Sequence, residues 1–219
     1  MNNIQKIYES LLSEYDFQGW WPIINSRTLL CEYCGGPKNE KEIFEVICGS
    51  MLTQNVGWDP NVVNALKNLK QKNLLSAKRI LSCDEQILKD AIKPTGYYNQ
   101  KARKLKVMAK FFIDLKGKAP TRDQLLALWG IGPETADSIL LYAYNVPCFV
   151  VDAYTRRILI HHNVINEDTT YDEIKQLFET QLPKDATMYN EYHALLVEHA
   201  KQHYSKKPYG KNDFLKLEE

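Results

Sequence analysis

The stretch Leu125-Leu126-Ala127-Leu128-Trp129-Gly130-Ile131-Gly132-Pro133-Glu134-Thr135-Ala136-Asp137, followed downstream by Cys148-Phe149-Val150-Val151-Asp152, decides how this chain reads. Gly130 and Gly132 bracket the apolar Ile131 between two segments of helical periodicity. Glycine lets such a hairpin take positive backbone torsions while its amides stay exposed. Pro133 suits the first turn of the next helix, where a missing N–H breaks no helical bond, so free amides and the helix dipole converge on one anion site. A phosphate oxygen fits it. Ile131 should point inward, with Leu125, Leu128, Ala136 and Ile139 forming an apolar seam at helical spacing. A Gly-x-Gly turn alone also fits an ordinary connection between helices.

Phe149, Val150 and Val151 form an apolar run that stops at Asp152, and Ala153-Tyr154-Thr155-Arg156-Arg157-Ile158 reads as a new helix. Asp152 is then the N-cap, a role that needs no catalytic explanation. The same carboxylate, held at a helix start, could stand beside an anomeric carbon and stabilise oxocarbenium character or orient water.

Leu128 to Ala136, taken together with Val151-Asp152, resembles the helix-hairpin-helix, Gly/Pro, Asp signature of endonuclease III-type DNA glycosylases. The likeness runs roughly from Phe44 to Pro208. Phe44-Glu45-Val46-Ile47-Cys48-Gly49-Ser50-Met51-Leu52-Thr53-Gln54-Asn55 resembles the family's early core helix and the loop that enters DNA. Pro94-Thr95-Gly96-Tyr97-Tyr98-Asn99-Gln100-Lys101-Ala102 resembles its central Gly/Tyr/Lys-Ala element, and Glu191-Tyr192-His193-Ala194-Leu195-Leu196-Val197 its C-terminal helix. The resemblance implies an all-α fold of two helical lobes around a DNA-binding cleft. Residues 38–146 would form a helical barrel containing the hairpin, and residues 1–37 with 147–219 a second lobe built from both chain ends. It makes Asp152 the catalytic carboxylate and assigns Gly130, Ile131 and Gly132 to DNA.

Two departures refine the expected chemistry. Bifunctional members carry a lysine after the hairpin as amine nucleophile, whereas the matching position here is Glu134. A carboxylate forms no Schiff base with a sugar aldehyde. Many relatives also bind an iron–sulfur cluster through four C-terminal cysteines, but Lys201 to Gly210 and the tail contain none. No cluster and no other required cofactor is therefore expected, and Tyr204, Tyr209 and Phe214 should pack where a cluster would. The hairpin remains a candidate seat for a monovalent cation in a DNA complex.

Gly19-Trp20-Trp21-Pro22 places two indoles ahead of the first core helix, and Phe44 could lie beside them after folding. Electron-poor methylated purines stack on such faces with a cation–π term of roughly 0.5–2 kcal/mol. Trp20, Trp21, Pro22 and Phe44 are thus the candidate base pocket, and the set resembles the 3-methyladenine branch of the family. The rings could equally staple the N-terminal segment to the core. A glycosylase must extrude its target base and fill the vacated stack. Gln54 matches the intercalating position, although a polar residue there also suits a cap or loop.

Bulk properties set limits. The 219 residues, 44% hydrophobic and 25% charged, can bury a substantial core and exclude wholesale disorder. A net charge of +1 means that any attraction to DNA is local. Asn99 to Lys110, Arg156-Arg157 and Lys201 with Lys206-Lys207 supply candidate basic faces. Cys31-Glu32-Tyr33-Cys34 is half of a zinc pattern without a second pair, so no metal is expected there. An odd cysteine count, no signal peptide and no membrane-length apolar run point to a reduced cytoplasmic protein, nucleoid-associated in a prokaryote.

Periodicity predicts helices near Asn3–Tyr15, Lys41–Thr53, Asn61–Lys70, Lys101–Lys116, Arg122–Trp129, Glu134–Tyr144, Ala153–His161, Tyr171–Gln181 and Ala186–Tyr204. The expectation is a monomeric, monofunctional DNA N-glycosylase that flips alkylated purines such as 3-methyladenine out of damaged double-stranded DNA and hydrolyses them off. Two alternatives stay open: a glycosylase for oxidised or mismatched pyrimidines with weak lyase activity, and a non-catalytic DNA-binding module.

Overall fold

The computed structural model describes residues 2–217. Its helices are α1 (Asn3–Tyr15), α2 (Glu40–Leu52), α3 (Val63–Gln71), α4 (Ala77–Ser82), α5 (Glu85–Ile92), α6 (Tyr98–Asp114), α7 (Arg122–Leu126), α8 (Pro133–Ser138), α9 (Ala153–His161), α10 (Tyr171–Gln181) and α11 (Ala186–His203). The fold is all-α apart from one antiparallel ladder of two-residue strands, β1 (Ile23–Ile24) and β2 (Cys31–Glu32). No helix among the described residues is long and apolar enough to cross a membrane.

Local chemistry sets many of the helix starts. Asn2, Asn39, Asp84, Asp152 and Asp185 each accept a hydrogen bond from an otherwise unpaired first-turn amide. Thr121 and Thr170 open capping boxes with Gln124 and Glu173. Helix lengths depart from periodicity in two places. The helix expected over Arg122–Trp129 stops at Leu126, because the following residues turn to build the hairpin. The one expected over Glu134–Tyr144 starts at Pro133 and widens into a π turn at Ile139–Ala143. Helices α4 and α5 were not expected. At 6 and 8 residues they are too short to show a clear apolar period.

The chain divides into two compact units, Met1–Trp20 with Asn145–Glu219, and Trp21–Tyr144. The division falls between Trp20 and Trp21 rather than between residues 37 and 38. The physical reason lies in residues 21–24. Trp21, Ile23 and Ile24 are buried, and the Ile24 amide donates to Glu45 Oε1 of α2 at 2.7 Å. Glu45 is itself held by Lys70 of α3 at 2.7 Å, and Lys70 also donates to the Ile24 carbonyl. This segment is therefore stitched to α2 and α3.

Within the Trp21–Tyr144 unit, α6 packs on α2, α4 and α5, and α2 packs on the π turn at 139–143. Phe44 of α2 meets Phe112 of α6 with ring centroids 5.0 Å apart. In the other unit α11 packs on α1 and α9. Phe149 stacks on Phe178 at 3.8 Å, and Tyr192 crosses both rings while donating to the Ile4 carbonyl at 2.7 Å. That bond lets a buried phenol sit in an apolar core without an orphaned hydroxyl.

Candidate active site

In the Trp21–Tyr144 unit, α7 and α8 flank the hairpin. Gly130 has φ +83°, a left-handed value that glycine adopts freely, and Ile131 turns inward to 7% exposure. Its amide donates back to the Leu128 carbonyl at 3.2 Å. Leu125, Ala136 and Ile139 are fully buried around the seam, while Leu128 is only half-buried. Asp137, at 0% exposure, accepts from Arg122 Nε at 2.9 Å, an ion pair that braces the two flanking helices. Gly132 and Pro133 are exposed at the start of α8, and Glu134 sits in its first turn.

Gln54, just beyond α2, is tied to this hairpin. Its Nε2 donates to the Gly130 carbonyl at 3.1 Å and to Thr135 Oγ1 at 3.0 Å. Its Oε1 accepts from Lys104 Nζ at 2.6 Å. The stem of Lys104 lies against Gly130, occupying the space a side chain there would need. One turn earlier on α6, Lys101 Nζ donates to the carbonyls of Leu52 and Thr95, both at 2.8 Å. Lys101 thereby satisfies the open C-terminal end of α2, immediately before Gln54. Burial, with a smaller push from the Lys104 charge, lowers its amine to about 8. Sequence reading placed both lysines on a generic basic face; their spacing of three along α6 is the signal that they share a side.

Trp21 is 5% exposed, and its ring lies 4.9 Å from both Trp58 and Tyr142. Trp21 and Trp58 lie against Gly49 of α2, and Tyr142 packs on Trp21. A Cβ at Gly49 would come within 3.1 Å of Trp21 Cζ2 and 3.3 Å of Trp58 Cζ3, so the bare backbone admits both indoles. Pro22 is buried. Phe44, expected beside the indoles, instead spends its face on Phe112 at 2% exposure, because α2 points it toward α6. Trp58 and Tyr142 take the partner role that sequence reading gave to Phe44 and Trp20.

Trp20 belongs to the other unit. Its ring lies 6.0 Å from Lys201 Nζ. The turn before it is fixed by Glu191 of α11, whose oxygens accept from the Gln18 amide at 2.5 Å and the Gly19 amide at 3.1 Å. Gly19 has φ +67°, which frees its amide to point at that carboxylate. Burial raises the Glu191 carboxyl despite those two bonds.

Asp152 caps α9 in the same unit. Its Oδ1 accepts from the Thr155 amide at 2.7 Å and from Thr155 Oγ1 at 2.9 Å. Oδ2 faces His193 of α11, whose Nε2 stands 3.9 Å away. Burial pushes the His193 imidazole down, against the opposing pull of the Asp152 charge, so the neutral form is favoured at neutral pH. The carboxylate is therefore oriented on one oxygen by the helix start and backed on the other by a neutral ring. His193 was missed in the sequence because 41 residues separate it from Asp152 and it sits inside an apolar helix pattern.

Among the described residues, Cys31 and Cys34 join no group of three metal-ligating side chains, and burial raises the Cys31 thiol away from the thiolate a metal needs. Segment 204–215, without cysteine, is filled by Tyr204 and Phe214: Tyr204 is fully buried, and Phe214 packs on Tyr15 and His199. Tyr209 lies under Arg157 at 4.9 Å. That donor set does not fit a thiolate-held cluster.

Comparison with known proteins supports the family and the fold. Residues 48–184 match the family described as HhH-GPD superfamily base excision DNA repair protein. A provisionally named DNA repair glycosylase of Methanocaldococcus jannaschii is 44% identical over 215 residues, covering 93% of this chain and 90% of its own. Endonuclease III of Sulfolobus acidocaldarius is 28% identical, with 95% and 91% covered. Among solved structures, the H. pylori 3-methyladenine DNA glycosylase bound to 1,N6-ethenoadenine superposes with a TM-score of 0.71 at 27% identity, covering 92% of this chain and 98% of that one. An endonuclease III–DNA complex shares the fold at TM-score 0.74 and 21% identity, with 94% and 90% covered. The chain belongs to the HhH-GPD superfamily of base excision DNA repair proteins, as an endonuclease III-like DNA glycosylase.

Proposed function

We propose that this glycosylase is monofunctional and removes alkylated purines, 3-methyladenine among them, from double-stranded DNA, leaving an abasic site. The observation that carries the reading is the pairing of a fixed carboxylate, Asp152, with an acid rather than an amine at the hairpin position. Asp152 is oriented by Thr155 and backed by His193. The hairpin position where a lyase amine would stand is Glu134 in α8. Lys101 has the lowered amine that Schiff-base chemistry favours, but it is 3% exposed and committed to two carbonyls, so it is a poor nucleophile for a sugar.

As the glycosidic bond lengthens, positive charge grows on the sugar, and the Asp152 carboxylate stabilises it while a water is directed to the anomeric carbon. A methylated purine carries its own positive charge and leaves readily, so acid catalysis is needed least for this substrate class. Trp21, Trp58 and Tyr142 are packed on one another, with Trp21 5% and Tyr142 3% exposed, so on this reading the group opens before its π faces can stack on such a base. The similarity to the H. pylori 3-methyladenine enzyme supports the same choice. The hairpin amides after Gly130 hold a backbone phosphate, and Gln54 fills the vacated stack. No iron–sulfur cluster takes part, and the protein works on DNA as a cytoplasmic monomer.

The test is base release from duplex DNA carrying 3-methyladenine, with abasic sites and strand breaks assayed separately and borohydride trapping in parallel. Release that falls at least a hundredfold in Asp152→Asn with DNA affinity retained, and with no trapped adduct, is the expected result. A trapped adduct would move the assignment to a lyase acting on pyrimidine lesions, and equal turnover by the variant would reject the role of Asp152.

A further inference from the structure

Four of the chain's five histidines gather in one place, two of them at the opposite end of α9 from its Asp152 cap. His161 and His162 end α9 and open the loop beyond it, with ring centroids 5.1 Å apart. His199 and His203 lie on the last turns of α11, 4.6 Å apart. Asp213, from the segment after α11, reaches back among them. Its Oδ2 lies 2.8 Å from His162 Nε2 and its Oδ1 lies 3.1 Å from His199 Nε2.

The path that brings Asp213 there is specific. Gly210 has φ +74°, donates its amide to the His203 carbonyl at 2.9 Å, and accepts from the Asp213 amide at 3.0 Å. The His161 ring sits directly over Gly210, in the space any side chain there would fill. The turn thus presents the carboxylate and both imidazoles of α9 to one small volume. One ligand atom each from His161, His162 and Asp213 lie within 4.8 Å of one another.

We infer that His161, His162 and Asp213 form a binding site for one divalent transition ion of borderline softness, such as zinc(II), that ties the C-terminal segment to the end of α9. Two imidazoles and a carboxylate match the donor preference of such ions. In a tetrahedral centre with bonds of about 2.0–2.1 Å, donors stand about 3.3 Å apart. The present spacings, 2.8 Å for one pair and up to 4.8 Å for the others, bracket that value. The Asp213 side chain is 3% exposed, and it is oriented from behind by Tyr204, whose hydroxyl donates to it, and by His199. His199 is in turn positioned by a 3.0 Å contact between its Nδ1 and Tyr15 Oη. Such outer partners preset a ligand's direction. His161 is exposed, which leaves the ion a way in and room for a water as fourth ligand.

The experiment titrates untagged, chelator-stripped protein with zinc chloride by isothermal calorimetry and follows the thermal midpoint in parallel. Cobalt(II) absorption reports coordination number. The expected result is one equivalent bound, a raised midpoint, a four-coordinate cobalt spectrum, and at least tenfold weaker binding in His161→Ala. That ring lies at the surface, so the variant should fold normally by circular dichroism. Binding must persist in Cys31→Ser/Cys34→Ser protein. Absence of stoichiometric binding, equal binding by His161→Ala, or loss of binding in the cysteine variant overturns the site.

Discussion

His193 Nε2 stands 3.9 Å from Oδ2 of Asp152, so a buried imidazole backs the carboxylate that caps α9. Burial lowers the folded-state value of this histidine below its ordinary 6.5, so between the two values the unfolded chain binds the proton more readily. Stability conferred by the neutral ring is therefore present above about pH 6.5 and lost as the pH falls below it. Denaturant midpoints measured from about pH 5 to 7.5 should fall on acidification in wild type and change less in His193→Gln. Identical slopes would show that the ring is not held neutral.

Lys101 gives the complementary signal on the alkaline side. Its folded value of about 8 lies below the ordinary 10.5, so burial penalises the charged form up to the folded value. As pH rises from 8 toward 10.5, the folded protein sheds this proton before the unfolded chain does, and wild type gains stability relative to Lys101→Met. Below pH 8 the two should differ by a constant amount. A thermal-midpoint series across that range checks the sign, and a wild-type midpoint that falls relative to Lys101→Met toward alkaline pH would contradict it.

Gly49→Ala tests the aromatic group. Alanine in a helix interior gains up to about 1 kcal/mol over glycine. Its Cβ meets two indoles at 3.1–3.3 Å, and overpacking of that kind costs about 1–3 kcal/mol. The net expectation is a destabilisation below about 2 kcal/mol and, if the proposed stacking role of these rings holds, a roughly tenfold loss of alkylpurine release. Affinity for undamaged duplex should hold. Equal losses on damaged and undamaged DNA would make Trp21 and Trp58 structural staples only.

Gly130→Ala attacks the hairpin twice, through its φ of +83° and through the Lys104 stem packed against it. A non-glycine residue in that region costs on the order of 1–2 kcal/mol. DNA affinity should fall about tenfold for damaged and undamaged duplex alike, and the salt dependence of binding should drop by about one phosphate. An unchanged salt slope would mean that the hairpin amides do not meet the backbone.

What the sequence revealed and what it hid follow one rule. The hairpin and the Asp152 cap were legible because each is decided by neighbours a few residues away: glycine torsions, a proline at a helix start, a carboxylate reaching the Thr155 amide. The longer-range contacts within each unit were not, because they close long loops. His193 reaches Asp152 from another helix, Trp58 and Tyr142 meet Trp21 from separate elements, and Lys104 reaches Gln54 from α6. Phe44 looked like a partner for the indoles because it is aromatic and close in sequence, yet its helical phase turns it to Phe112.

The clasp on Gln54 bears on how the enzyme scans. Its amide is engaged by Gly130, Thr135 and Lys104, so in the role proposed above, filling the vacated stack, Gln54 must first break those bonds. In that role, intact, well-stacked pairs would return it to its berth, whereas a site already loosened by a damaged base would let it stay. Selectivity would then begin before any lesion reached a binding pocket, as a threshold set against sound DNA by three hydrogen bonds made entirely within the protein.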